Sequence, residues 1–362
     1  MQSSRPETPV IAGHEWFYVG GTYVEEAGGA FLTGQMYVEH FRPVEARPAP
    51  PVVMIHGGMQ TGTNFIGTAD GRPGWLYDFL GAGYEVYVID QPERGRSGQR
   101  LQEGQAAPQF RYSAARTEDY FTAPAAAALW PQARRHTQWP GTGKRGDPLF
   151  ERFFASQVSQ LADRSEIERL TRDGCVALLD QIGPAILLTH SQSGPFGWLI
   201  ADARPGLVKA VLAIEPNGPP FKDVEFQGAP DWFAYGDALA RPWGITRLPM
   251  TFDPPIETPD ALRPRLAPAE TPDLAPGLMP SCRPHRLPNL IGLPILILTA
   301  EASYHASYDH CTSAFLAWAG VAHDFQRLED SGVHGNSHMI MMERNSHEVA
   351  DLLVRWLAEK GL

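Results

Sequence analysis

Short apolar runs recur along the chain, separated by stretches with helical period. Val52 to Ile55, Tyr84 to Asp90, Ala185 to Leu188, Val208 to Ile214 and Pro294 to Leu298 are each dominated by apolar side chains and bounded by turn formers. That pattern fits strands buried on both faces. Trp75 to Leu80, residues 148–182, the stretch from Phe196, residues 309–319 and residues 346–359 show helical spacing. A further strand is predicted over 323–329. Two segments near the start, 14–24 and 34–42, alternate as the strands of an antiparallel ribbon do. Strands alternating with helices predict a mostly parallel sheet with helices on both faces and the ribbon at one edge.

Two stretches interrupt this rhythm. Residues 99–147 are irregular and rich in Gln, Ala, Trp and Arg. Residues 216–294 hold 17 of the chain's 33 prolines. Proline fixes φ and removes a backbone donor, so no helix or central strand of normal length tolerates that density. The expectation is one α/β domain over residues 1–362, with a loop or lid inserted at about 99–147 and a largely extended Pro-rich cap at about 216–292. No internal repeat is visible.

Composition narrows the class. With 362 residues, 43% of them apolar, a sizeable core can be buried. No apolar run is long enough to span a bilayer. The formal net charge of -11 argues against nucleic acid and against an anionic membrane surface. The expected partner is a small molecule, and a homodimer stays open. The opening Met-Gln-Ser-Ser-Arg-Pro-Glu-Thr-Pro lacks the apolar core of a signal peptide. A cytoplasmic protein and an exported one whose leader has been removed both remain open. Of the three cysteines, Cys175 sits in a helical pattern as a packing residue. Cys282 and Cys311 flank the last buried strand and are candidates for one bridge. Their spacing gives no disulfide framework and no zinc pattern.

The chemistry centres on residues 185–195. A buried strand runs into Thr189-His190-Ser191-Gln192-Ser193, and a helix follows. This is the outline of a nucleophile elbow with Ser191 at its apex, although Thr189 and Ser193 replace the usual glycines. A strand-to-helix turn with a capping serine is the plainer alternative. His56-Gly57-Gly58 ends an earlier strand, where an oxyanion-binding loop belongs. Glycine there lets the backbone approach a substrate. Gly58, with Met59 as the nearby alternative, and Gln192 are the expected N–H donors. The general base is expected on the loop before the last helix, which nominates His338. His334 is the rival on the same loop, while His347 falls inside the predicted helix. The other histidines read as surface or packing residues, with a metal site from His305, His310 and Cys311 as a remote alternative. For the acid, spacing leaves Glu301 and Glu215 nearly level, with Asp309 third, because each follows a strand near the elbow.

Serine, acid and histidine in this order, with the His-Gly-Gly loop ahead of them, are the parts of an α/β-hydrolase fold. The motifs Thr-His-Ser-Gln-Ser-Gly, Ala-Ile-Glu-Pro-Asn-Gly-Pro-Pro (213–220), Gly-Asn-Ser-His-Met (335–339), His-Gly-Gly-Met and Asp-Gln-Pro-Glu-Arg-Gly-Arg-Ser (90–97) resemble a subfamily of bacterial α/β-hydrolase carboxylesterases. That subfamily includes esterases that de-esterify sulfonylurea herbicides. The resemblance implies a Ser-Glu-His triad, and it moves the choice of acid to Glu215. The triad is then Ser191, Glu215 and His338.

The expected activity is hydrolysis of a carboxylic ester through an acyl-enzyme, with no cofactor and no metal. Thioester or C–C hydrolysis and acyl transfer are alternatives on the same scaffold, and a non-catalytic binding protein is a weaker one. An aspartate-nucleophile enzyme is disfavoured because Ser191 holds the apex. The substrate is expected to be a largely apolar, bulky or aromatic ester, not a charged metabolite. The reason is the apolar content of the insertions: Phe110, Tyr112, Tyr120, Phe121, Leu129, Trp130 and Trp139 in the first, and Phe221, Phe226, Trp232, Phe233, Tyr235, Trp243, Met250 and Phe252 in the second. Arg134, Arg135, Lys144 and Arg145 are the opposing signal for an acidic substrate.

Overall fold

The alternating apolar runs assemble into one eight-stranded sheet in the computed structural model, which describes residues 10–102 and 105–362. Its strands are β1 (Ile11–Glu26), β2 (Gly29–Pro43), β3 (Val52–Ile55), β4 (Val86–Asp90), β5 (Ala185–His190), β6 (Val208–Ile214), β7 (Ile295–Thr299) and β8 (Asp324–Arg327). Their order across the sheet is β1-β2-β4-β3-β5-β6-β7-β8. β1 and β2 form a long antiparallel hairpin, and β2 joins β4 antiparallel. From β4 to β8 every neighbour is parallel.

The principal helices are α1 (Trp75–Gly81), α2 (Pro148–Ala155), α3 (Arg164–Ile182), α4 (Gly194–Ala203), α5 (Asp309–Trp318) and α6 (Ser346–Glu359). Successive strand residues point to opposite faces, so each parallel strand feeds two cores. Val53, Leu187, Val211 and Ile297 pack with Leu178 of α3, Trp198 of α4 and Phe315 of α5. Met54, Leu188, Leu212 and Leu298 pack with Phe79 of α1 and Leu353 of α6 on the other side. Burial on both faces is why these strands read as unbroken apolar runs. Each such Leu, Ile or Val contributes about 1.5–3 kcal/mol of transfer free energy.

Three expectations change. Helical period over 148–182 resolves into α2 and α3, because two aspartates start separate helices. The Asp147 carboxylate accepts the Leu149 N–H at 2.8 Å, and Asp163 accepts those of Ser165 and Glu166 at 2.9 and 3.1 Å. Between them Gln160-Leu161 pairs with Gln109-Phe110 of the first insertion. Cys282 and Cys311 form no bridge, and all three cysteines are free thiols. The Cys311 thiol instead packs against the backbone at Gly277 and lies 3.3 Å from His310 Nε2. Cys175 is buried beside Met36, and burial pushes its thiol up to about 12. Finally, the last strand is shorter than expected, ending at Arg327 in a tight turn over Leu328–Ser331.

Both insertions leave from the C-terminal ends of parallel strands, after β4 and after β6. The first holds short helical turns at 114–117, 124–127 and 131–135. The second holds two small hairpins, 224–226 with 233–235 and 264–267 with 277–280. They meet over residues 302–308. The Trp130 indole N–H donates to the Ala302 carbonyl at 3.0 Å, and the Phe226 ring lies edge-on to Tyr304. No helix among the described residues is long and apolar enough to cross a membrane.

Candidate active site

β5 ends at His190, and the next residue turns sharply. Ser191 has φ of +55°, a left-handed conformation that non-glycine residues seldom adopt. The turn is held from below by Ser193, whose Oγ donates to the Ile55 carbonyl at 2.7 Å and accepts the His190 N–H at 2.8 Å. This fixes the elbow to β3 and accounts for a small hydroxyl residue where glycine is usual. Gly194 cannot carry a side chain, because a Cβ there would fall 2.4 Å from Pro216 Cβ.

Ser191 Oγ lies 2.9 Å from His338 Nε2, and His338 Nδ1 lies 2.6 Å from Glu215 Oε2. Glu215 follows β6 with φ of +46°. Its carboxylate also accepts the Ala300 N–H at 2.8 Å and the Ser303 hydroxyl at 2.7 Å. Burial pushes the Glu215 carboxyl up and the His338 imidazole well down. The Ala300 and Ser303 donors oppose the rise at Glu215, and burial keeps the resting imidazole neutral. His338 then donates from Nδ1 to Glu215 and accepts at Nε2. The Tyr304 hydroxyl approaches the same Nε2 at 3.1 Å.

The rival residues lie elsewhere. Glu301 accepts the Gly335 N–H at 2.9 Å and meets the exposed His334 at 3.3 Å. His347 pairs with Asp78 of α1 at 2.9 Å. Asp309 binds His305 Nδ1 at 2.8 Å and the Thr299 hydroxyl at 2.7 Å. His305, His310 and Cys311 do not assemble as a metal site, since both ring nitrogens of His305 are committed to Asp309 and Tyr308. Among the described residues the side chains close enough to share an ion are Glu215, His305 and His338. The Glu215 and His338 atoms already serve the chain of bonds just described.

Two residues that sequence reasoning passed over hold this geometry. Glu343, wholly buried, accepts the Ser337 N–H at 2.9 Å, the Asn336 side chain at 2.8 Å and His136 Nε2 at 2.7 Å. It thereby fixes the loop that presents His338. Arg94, also buried, donates to the Gly57 carbonyl at 2.9 Å and to Gln192 Oε1 at 3.0 Å. It ties together the two segments expected to supply oxyanion donors. Burial brings its guanidinium down to about 9. His56 completes the loop: its Nε2 accepts the Gln91 N–H at 3.0 Å and Nδ1 donates to the Gly57 carbonyl at 2.9 Å. Burial holds His56 down to about 3, so this tautomer stays neutral. Gly57 must be glycine, since a Cβ would come 2.9 Å from His190 Nδ1. The Met59 amide faces Gln160 Oε1 at 3.4 Å, while Gly58 and Gln192 line the cavity over Ser191.

Residues 52–352 match the Alpha/beta hydrolase family. The chain belongs to that family. It is 42% identical over 353 residues to the probable secreted lipase phiG of Fungal sp. (strain ATCC 74256), covering 95% of this chain and 89% of that protein. The solved structure of a novel bacterial esterase superposes with a TM-score of 0.64 over 98% of both chains at 23% identity, which shows a shared fold.

The cleft over Ser191 in this α/β-hydrolase is narrow, with a cavity volume of about 70 Å³. Tyr112, Phe121, Phe196, Tyr304 and Met339 form apolar wall, and Gln60, Gln160 and Asn217 interrupt it. Arg164, Glu168 and Arg247 line it as well. Of the apolar insertion residues expected to form the pocket, Tyr112 and Phe121 do so. Phe221, Met250 and Phe252 instead join the core beside α3 and α4. Tyr120, Trp130 and Phe226 stack edge-on with Tyr304. A cap made largely of extended chain has few helix faces to bury, so its aromatic side chains anchor it to the body. Arg134, Arg135, Lys144 and Arg145 are absent from the cavity lining described.

Proposed function

We propose that this α/β-hydrolase is a serine carboxylesterase with Ser191 as nucleophile, His338 as base and Glu215 as the acid that orients it. Ser191 Oγ attacks the ester carbonyl while His338 Nε2 takes its proton. Glu215 fixes the tautomer and stabilises the imidazolium. The N–H groups of Gly58 and Gln192 receive the oxyanion. His338 returns the proton to the departing alcohol, beside the Tyr304 hydroxyl. Water then releases the acyl group by the same base.

The observation that carries this reading is the continuous 2.9 Å and 2.6 Å chain from Ser191 through His338 to a buried Glu215, opening on the cavity. Likeness to the Ser-Glu-His carboxylesterases in the motifs around all three residues supports it, as does the relation to a secreted lipase. The same relation supports export of this chain. The aromatic and Met wall next to Ser191 favours an apolar group beside the scissile carbonyl. The test is hydrolysis of a neutral aryl ester together with labelling by a serine-directed phosphonate. Ser191→Ala should abolish both in a folded protein; labelling of Ser193 would overturn the assignment.

A further inference from the structure

The cavity above Ser191 reaches charged groups for which ester hydrolysis has no use. Arg164 and Glu168, one turn apart on α3, line it together with Arg247 from the Pro-rich insertion. The Arg247 side chain is only 14% exposed, and its Nε lies 3.6 Å from Glu168 Oε1. The other Glu168 oxygen is already engaged by the N–H groups of Arg247 and Leu248 at 2.9 and 3.2 Å. Burial pushes the Glu168 carboxyl up to about 7, which makes it a weaker counter-charge than an ordinary carboxylate. Beside Arg247 stands Arg241, wholly buried and bonded to Asp223 Oδ1 at 2.8 Å. Asp223 Oδ2 in turn lies 3.7 Å from Arg164. Three guanidinium groups thus share two carboxylates. Burial and the neighbouring Arg241 bring Arg247 down to about 10. A guanidinium taken out of water with incomplete compensation is unfavourable until an anion joins it.

We infer that this part of the cavity is an anion subsite, in which Arg247, assisted by Arg164, binds a carboxylate carried by the ester substrate away from the scissile bond. A planar guanidinium meets a carboxylate through two parallel N–H···O bonds, which sets both affinity and orientation. The substrate class is then a half-ester of a dicarboxylic acid, or an ester with an equivalent acidic tail. Its hydrocarbon lies against the apolar wall beside Ser191. This departs from the uncharged ester expected from the insertions' composition, since most of those aromatic residues anchor the cap. The identity of the reaction rests on the serine-esterase reading; the subsite itself is tested separately by binding.

Two measurements decide it. The first is kcat/KM for paired aryl half-esters of glutaric acid, one with a free carboxylate and one with that carboxylate methylated. Wild type should prefer the free acid through KM, by about tenfold to a hundredfold. Arg247→Gln should bring the ratio of the pair near one, and Arg247→Lys should restore part of it. An unchanged ratio in Arg247→Gln overturns the subsite. The second is calorimetric binding of monomethyl glutarate to Ser191→Ala protein, with and without Arg247→Gln. Binding weakened about tenfold or more by the second substitution supports the subsite. Equal binding, or none, overturns it. If neither ester is hydrolysed and the phosphonate fails to label Ser191, the esterase reading fails while the calorimetry still judges the subsite.

Discussion

The Tyr304 hydroxyl and Ser191 Oγ share one nitrogen, His338 Nε2, at 3.1 and 2.9 Å. Neutral Nε2 has one lone pair to offer in the ring plane, so the two hydroxyls compete in the resting state. In the proposed mechanism Nε2 becomes a donor after proton transfer, and Tyr304 would lie beside the alkoxide that collects this proton. Burial keeps the phenol well above its usual range, so it remains a neutral donor. Tyr304→Phe should lower kcat about tenfold for alkyl esters, whose leaving group needs protonation, and little for p-nitrophenyl esters. The dependence of kcat on leaving-group basicity measures this. Equal losses across the series would assign Tyr304 to packing alone.

Glu215→Gln should lower kcat by up to about 10⁴-fold, the scale seen when a triad acid is neutralised. Glu301→Gln should cost less than about tenfold, since its contacts are to Gly335, the exposed His334 and the exposed Arg135, none of them on His338. Steady-state rates on one neutral ester, with folding checked by circular dichroism, compare the two. The reverse order of losses would move the acid to the later strand.

Arg94→Met should reduce kcat by about tenfold to a hundredfold with KM little changed, short of the loss from deleting an oxyanion donor outright. The side chain is not among those lining the cavity. It spans the Gly57 carbonyl and Gln192 Oε1, so its loss loosens the two donors relative to each other. The readout is kcat against KM, with Arg94→Lys recovering only part because it cannot bridge both acceptors. A pure KM effect would refute the positioning role.

Stability should depend on Glu168. Its folded-state value is raised to about 7 from 4.5 by burial, although the Arg247 and Leu248 amides and the charges of Arg247 and Arg241 oppose this. The folded protein therefore binds the proton more tightly than the unfolded chain. That contribution is fully present below about pH 4.5 and is lost as pH rises through about 7, with a ceiling of about 3 kcal/mol. Urea unfolding at pH 5 and pH 8 should show the decline, and Glu168→Gln should flatten it. An equally steep decline in the variant would assign the effect to other groups.

Much of the scaffold is legible in the chain because burial on both sheet faces leaves a one-dimensional trace. Ile186 to Leu188 and Leu296 to Leu298 have no solvent side, so they read as strands without any alternation. The boundary at Asp163 is harder to see, because capping depends on a single side chain while apolar spacing continues on both sides. Ser191 and His338 are accessible to reasoning since each lies in a local motif at a fixed place in the element order. Glu215 and Glu301 are not separable by spacing. β6 and β7 are adjacent and parallel, so both acids emerge at the same end of the sheet, and only the turn geometry aims one at His338. Arg94 and Glu343 are silent for another reason: Arg94 bridges Gly57 and Gln192, and Glu343 reaches His136, partners that only the fold brings close. Composition likewise reports that the insertions are aromatic without reporting whether the rings face the cap or the cavity.

Left-handed backbone clusters where the parallel strands end. Met59, Glu93, Ser191 and Glu215 follow β3, β4, β5 and β6 with φ of 59°, 65°, 55° and 46°. None is glycine, and each such residue costs about 1–2 kcal/mol in conformational strain. The rim of strand ends around Ser191 is therefore a strained part of the backbone, held in place by the relaxed sheet below it. Attempts to make this hydrolase more heat-resistant should gain most far from that rim, in the β1–β2 hairpin and on the outer faces of α3 and α6. Relaxing the rim itself would trade turnover for melting temperature.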